Sequence, residues 1–253
     1  MNIVLLGSGN VATHMGHAFT RAGCRIVQVY SRTLAHAASL AEAVGAEAID
    51  VVDGVNRNAD AFVVAVKDDA IHDVICQMPE INDGMVLHTA GSMGMDIFAG
   101  CVPRYGVLYP VQTFSKAKAI DFSSVPLAVE ASDDRTLAGL RDLAGRLSSR
   151  VFVCDSKQRL SLHVAAVFAC NFANHCYAVA DELLKVHKLD FELIRPLILE
   201  TAEKVMKHRP RDVQTGPAVR RDATTMAKHL TLLQDDPDLV KLYTLLSEHI
   251  GRS

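Results

Sequence analysis

Short blocks of consecutive apolar residues alternate with amphipathic stretches through the first half of the chain. Residues 3–6, 25–30, 61–66 and 85–88 read as buried strands, with a shorter one near 48–49. Between them, residues 10–22, 34–44 and 69–78 carry helical spacing. That alternation predicts a parallel sheet with helices on both faces. After Gly91 the rhythm changes: 106–110, 126–130 and 151–154 read as strands extending the same sheet, with a helix over 135–147. Beyond Asp155 strands cease, and 160–186, 191–208, 222–233 and 237–250 all read as helices. A boundary near residue 155 is expected, with one domain over 1–155 and a helical one over 156–253.

The first strand runs directly into Gly7-Ser8-Gly9-Asn10-Val11-Ala12. A buried strand that stops at a tight glycine turn and opens into a helix is the phosphate-binding corner of a dinucleotide fold. Gly7 allows the turn, Gly9 lets backbone approach a pyrophosphate, and Ala12 lets the helix pack close to the strand. The helix start adds free N–H groups and a favourable dipole. A βα turn that uses glycine only for its backbone is the alternative. The fold expected is α/β, a Rossmann-type doubly wound sheet followed by an all-helical C-terminal domain.

The end of the second strand bears on which dinucleotide fits. It closes as Tyr30-Ser31-Arg32-Thr33, without the carboxylate that holds a ribose 2′-hydroxyl in NAD sites. A hydroxyl followed by a guanidinium suits a 2′-phosphate, so NADP(H) is expected over NAD(H). An ordinary helix cap at Ser31 beside a solvated Arg32 is the alternative. Val66 and Lys67, at the carboxyl end of the fourth strand, and Thr89 and Ala90, after the fifth, fall at the crevice where this fold binds ligands. Lys67 lines that crevice or is a solvated loop lysine. His88, at the end of the fifth strand, is a weaker catalytic candidate, because strand-end histidines often satisfy local backbone groups.

Composition narrows the function classes. A chain of 253 residues that is 49% hydrophobic can bury a full core, and a net charge of −3 gives no reason to expect nucleic acid or an anionic membrane as partner. Cys24, Cys76, Cys101, Cys154, Cys170 and Cys176 form no C-x-x-C pair, and most sit in apolar settings that read as reduced core thiols. No metal site is expected, since His14 and His17 have no nearby Cys or carboxylate to complete one. No targeting pattern precedes the first strand, which points to the cytoplasm. Residues 160–180 carry no full charge, yet they include His163, Asn171, Asn174 and His175, so a buried helix is expected there and not a membrane span.

His163, Asn171 and Asn174 would fall within about 80° of one another on a regular helix at about 100° per residue. Three polar side chains on an apolar helix need partners or lose roughly 1–3 kcal/mol each. A substrate or a nicotinamide carboxamide would serve, and so would a polar network in a dimer interface. Between Lys204 and Arg221 stand six Lys or Arg residues against one acid, Asp212. Arg220 or Arg221 could grip a carboxylate there, Asp222 could hold one of them in a structural pair, or the segment is simply a solvated basic loop.

Gly7 to Ala12, Ser31-Arg32-Thr33, Tyr109-Pro110-Val111-Gln112-Thr113-Phe114, His163 through Asn171, and Thr215-Gly216-Pro217 with Arg221-Asp222 together resemble a bacterial family. Its members are Rossmann NADP oxidoreductases with a helical C-terminal domain of unknown function, distantly similar to ketopantoate reductase and pyrroline-5-carboxylate reductase. Many of them have His-Pro where this chain has Tyr109-Pro110. The resemblance implies hydride transfer between NADP and a small carboxylate-bearing oxo or imino substrate. His163 would stand where ketopantoate reductase has a lysine and would donate the proton, as an imidazole can near neutral pH. Asn171 would orient the substrate and Arg221 would bind its carboxylate. The competing expectation is a nucleotide-binding regulatory or redox-sensing protein without turnover. An uncharged first helix in the second domain further predicts a homodimer.

Overall fold

The computed structural model describes residues 1–115 and 117–252; Ser253, the last position of the expected helical domain, lies outside the described residues. Eight strands form one sheet: β1 (Asn2–Leu6), β2 (Arg25–Tyr30), β3 (Glu47–Ile49), β4 (Ala61–Val64), β5 (Met85–His88), β6 (Tyr105–Pro110), β7 (Leu127–Ala131) and β8 (Val151–Val153). Their order is β3-β2-β1-β4-β5-β6-β7-β8. All neighbours pair in parallel except β6 and β7, which are antiparallel. Between β1 and β4 the winding reverses direction, and the carboxyl ends of those two strands frame the crevice.

Alternation along each strand splits the core in two. Ile3 and Leu5 face α1 (Asn10–Arg21), α2 (Leu34–Val44) and α4 (Asp134–Leu147), whose Met15, Phe19, Leu40, Val44, Leu140 and Leu143 share that cluster. Val4 and Leu6 face the other way, onto α3 (Ile71–Cys76) and Phe98. The register aligns Leu6, Val64, His88, Val107 and Glu130 in one row across the sheet. Row partners point to the same face, so two polar side chains stand among apolar ones beneath the start of the next helix.

That helix, α5 (Ser156–Ala166), opens with a capping box: Asp155 accepts from the Gln158 N–H at 2.8 Å, and the Gln158 side chain accepts from the Asp155 N–H at 3.0 Å. The single helix expected over 160–186 is corrected in two ways. It starts earlier, at Ser156, and it passes through a π-helical stretch, Val167–Phe172, before continuing as α6 (Ala173–Val186). The expected 69–78 helix is likewise a 3-10 turn, Asp68–Ala70, followed by the short α3.

The chain divides into two compact units, Met1–His175 and the residues from Cys176 onward. The second contains most of α6, with α7 (Arg195–Lys207), α8 (Ala223–Leu233) and α9 (Pro237–Arg252). Within it, Tyr243 on α9 meets His229 Nδ1 on α8 at 2.8 Å, and Asp222 caps α8 by accepting from the Thr225 N–H at 3.0 Å. Among the described residues no helix is long and apolar enough to cross a membrane.

Candidate active site

A cleft of about 570 Å³ runs along the carboxyl ends of β1, β4 and β5 within the first unit. One end is the glycine corner. Gly7 sits at φ +132°, and a Cβ there would lie 2.3 Å from the Ala65 carbonyl oxygen, so the turn tolerates no side chain. Around Gly9 nothing stands within 4 Å of a would-be Cβ. Gly9 is also the N-cap of α1, with no side chain capping it and no acid in the first turn. Its open N–H groups therefore face the cleft with the positive end of the helix dipole, as an anion requires. Ser8, Asn10 and Val11 complete this lining.

Tyr30, Ser31 and Arg32 form the next wall. Arg32 is exposed and pairs with no carboxylate among the described residues. Capping does not explain Ser31, because the N-cap of α2 is Thr33. Thr33 itself does not line the cleft. Val66, Lys67, Thr89 and Ala90 all do, together with Asp68 and Gly91. A glycine cradle with a guanidinium that no carboxylate pairs among the described residues fits a dinucleotide carrying a 2′-phosphate.

At the far end stands His163 on α5, its Nδ1 3.2 Å from the Tyr109 hydroxyl at the end of β6. Burial pushes the Tyr109 phenol above its ordinary pKa, against a smaller opposing effect of the Arg159 charge. A Cβ on Gly91 would fall 2.6 Å from His163 Nδ1 and 2.9 Å from Tyr109 Cζ, so the pair occupies the space that glycine leaves. The rim on this side, Gln112 and Phe114, is tied to α1: Asn10 Nδ2 donates to the Phe114 carbonyl at 3.0 Å, and His14 Nε2 lies 2.9 Å from the Ser115 carbonyl.

A second cavity of about 380 Å³ adjoins the cleft at Tyr109, Gln112 and His163, and Asn171 lines it. Asn174 is exposed and lines neither space. The face expected for His163, Asn171 and Asn174 assumed regular α-helical spacing. Bonding from i to i+5 across Val167–Phe172 changes the angular step and breaks that arithmetic.

His88 serves a local backbone group, as expected of a strand-end histidine: its Nδ1 accepts from the Ala90 N–H at 3.2 Å. His88 is fully buried, stacks on Phe98 at 5.4 Å and lines no part of the cleft. Burial, reinforced by the Arg159 charge, lowers its pKa to about 4, so it stays neutral near pH 7 and is no proton donor there. Cysteines depart from the reading as core thiols: Cys24 and Cys154 are buried, but Cys76, Cys101, Cys170 and Cys176 are exposed.

Arg159, four residues before His163, carries a role the sequence did not signal. Its side chain is 1% exposed, ion-paired to Glu130, and donates to the Met93 carbonyl at 2.5 Å. Glu130 also accepts from the Ser156 N–H at 3.0 Å and the Ser156 hydroxyl at 2.8 Å. This network anchors the first turn of α5 to the sheet and so fixes where His163 emerges. Arg221 belongs to the second unit, where it takes φ +54° and its N–H donates to the Ala218 carbonyl. Asp222 is engaged by Thr225, which donates from both its N–H and its hydroxyl.

With this geometry in place, relatives can be set beside the chain. Residues 2–92 match the family described as "NADP oxidoreductase coenzyme F420-dependent", and 125–250 match a domain of unknown function, DUF2520. A Bacteroides fragilis protein assigned as an NADP oxidoreductase is 46% identical, with a TM-score of 0.91 over 100% of this chain and 98% of the other. The chain belongs to this family of NADP oxidoreductases. No curated protein matches it.

More distant solved structures share the fold. A reductive aminase from Aspergillus terreus, in complex with NADPH and ethyl-5-oxohexanoate, has a TM-score of 0.74 at 16% identity, covering 99% of this chain and 93% of its own. A 1-pyrroline-5-carboxylate reductase from Streptococcus pyogenes has a TM-score of 0.60 at 13% identity, covering 100% and 99%. Of the residues lining the cleft, sequence reasoning gave no role to Tyr109, Gln112 or Phe114, although all three lie in a motif that carried the family resemblance.

Proposed function

We propose that this family member is an NADP-dependent reductase of a small oxo or imino substrate, with His163 as the proton donor. The observation that carries the reading is one continuous cleft with an anion-binding glycine corner and Arg32 at one end and the His163–Tyr109 pair at the other. When bound, the nicotinamide supplies the hydride. The chain's own residues do the rest. Gly9 and the start of α1 take the pyrophosphate, Ser31 and Arg32 take the 2′-phosphate, and Thr89 to Gly91 leave room for a flat ring. His163 enters the step as an imidazolium, donating from Nδ1 to the Tyr109 oxygen; its Nε2 proton passes to a developing alkoxide or amine, and the neutral ring left behind accepts at Nδ1 from the Tyr109 hydroxyl, which burial keeps protonated. Asn171 orients the substrate in the adjoining cavity. That the substrate bears a carboxylate rests on the basic segment around Arg221. The helical part from Ser156 onward supplies substrate and homodimer contacts, in a cytoplasmic protein.

NADPH oxidation, measured against a panel of cyclic imines and 2-oxo acids, tests the reading. Tight NADPH binding with turnover of one panel class, reduced at least about a hundredfold in His163→Ala, is expected for loss of a general acid. Gly91→Ala should lower turnover as well, by displacing the pair. Binding without any turnover, or turnover indifferent to His163→Ala, would replace the reductase with a nucleotide sensor or move the acid elsewhere.

A further inference from the structure

Away from the cleft, α3 turns an unexpected set of side chains outward. Ile71, Val74 and Ile75 face the core, so His72 and Cys76, one helical turn apart, share the solvent side. Cys101 reaches the same place from the turn that follows the 3-10 segment Met95–Phe98, where Gly100 at φ +76° reverses the chain. His72, Cys76 and Cys101 place one ligand atom each within 4.8 Å of one another.

Two of the separations within the trio match a tetrahedral metal site. A tetrahedral ion with sulfur at about 2.3 Å and nitrogen at about 2.0–2.1 Å separates two sulfurs by about 3.8 Å, and a sulfur from a nitrogen by about 3.6 Å. Cys76 Sγ and Cys101 Sγ stand 3.6 Å apart, and His72 Nε2 stands 3.6 Å from Cys76 Sγ. His72 Nδ1 meanwhile lies 3.9 Å from the Asp73 carboxylate. Nδ1 also lies 3.9 Å from Cys76 Sγ, so Nε2, at 3.6 Å, is the nearer nitrogen to offer an ion. Two thiols and an imidazole select a borderline or soft cation over calcium or magnesium.

We propose that His72, Cys76 and Cys101 form a binding site for a zinc-like divalent cation, separate from the cofactor cleft. Binding forms two metal–thiolate bonds and one metal–imidazole bond, and the two thiol protons leave to solvent. Water fills the fourth position, which the protein leaves open. In the metal-free chain the two thiols hydrogen-bond each other, and that contact holds Cys76 above its ordinary pKa. The ion ties α3 to the segment after β5. Both border the cofactor cleft on their inner sides, through Val74 and through Thr89 to Gly91. A metal here is therefore a surface staple across two walls of the dinucleotide site.

The test is titration of the full-length, reduced protein with cobalt(II) under anaerobic conditions, followed by displacement with zinc(II). One equivalent of cobalt should produce thiolate-to-metal charge-transfer absorption and the strong visible bands of a four-coordinate site, both lost on adding zinc. Zinc should also raise the thermal unfolding midpoint. Cys76→Ser with Cys101→Ser should abolish the absorption, and His72→Ala should weaken binding. Cys170→Ser with Cys176→Ser should leave it intact. These side chains are all exposed, so circular dichroism of each variant should match the parent. The proposal is overturned if no charge-transfer band forms, if the band survives loss of Cys76 and Cys101, or if the pair merely oxidises to a disulfide without taking up metal.

Discussion

In residues 1–175 the largest fully buried side chain is an arginine, Arg159, whereas from Cys176 onward Ala218 and Leu233 are the apolar side chains buried among the described residues. The first unit can bury a guanidinium because Glu130 answers its charge and the Ser156 hydroxyl and Met93 carbonyl accept from its terminal nitrogen, leaving Nε as the donor unanswered among the described residues. The second leaves Met206 84% exposed, Leu245 65% and Leu197 64%. A sheet covered on two faces completes its own core. Three helices and most of α6, with leucines in water, do not, and apolar surface on that scale calls for a partner. The contrast supports the proposed homodimer, with self-association carried by the helical unit and cofactor chemistry by the other.

The comparison can be broken most severely at the buried pair. Glu130→Gln leaves the Arg159 charge uncompensated and should destabilise the protein by about 3–5 kcal/mol in urea unfolding. A loss below about 1 kcal/mol would mean the network does not anchor α5. Next in size is an effect of pH. His88 binds a proton at about pH 4 when folded and near 6.5 when unfolded, so the unfolded chain holds more protons between those values. Its contribution is complete above about pH 6.5 and is lost as pH falls toward 4, amounting to roughly 3 kcal/mol. His88→Leu should flatten that part of the stability profile.

Arg32→Ala should raise the NADPH dissociation constant by roughly ten- to a hundredfold, the equivalent of about 1.5–3 kcal/mol for a charge-assisted contact, and leave NADH nearly unchanged. Calorimetry with both cofactors reads this directly, and equal losses for the two would remove Arg32 from the 2′-phosphate site. Smallest is Met206→Gln. At dilutions where the protein is monomeric it should shift folding by less than about 0.5 kcal/mol. Light scattering at higher concentration should show weaker dimerisation, and no change there would exclude this face from the interface.

What could be read from the sequence follows the same division. Strands of a parallel sheet are buried on both faces, so β1, β2, β4 and β5 announce themselves as continuous apolar runs. The glycine corner was legible because a backbone requirement leaves only one residue type able to meet it, as at Gly7. The helical half offered periodicity but not regularity: nothing in Val167-Phe168-Ala169-Cys170-Asn171-Phe172 signals a π turn, which depends on which carbonyl each N–H finds. Arg159 looked like any charged residue near a helix start, because its partner Glu130 lies 29 positions away. Cys76 and Cys101 are 25 apart and meet through a turn, so no spacing motif links them. Tyr109 gained meaning once β6 and α5 were seen to converge on Gly91.

The bonds from Asn10 and His14 to the carbonyls of Phe114 and Ser115 bear on how the dinucleotide comes and goes. They moor the outer rim of the cleft to the same helix whose first turn receives the phosphates. A rim held by the helix proposed to take the phosphates would spare dinucleotide binding the cost of ordering a free loop.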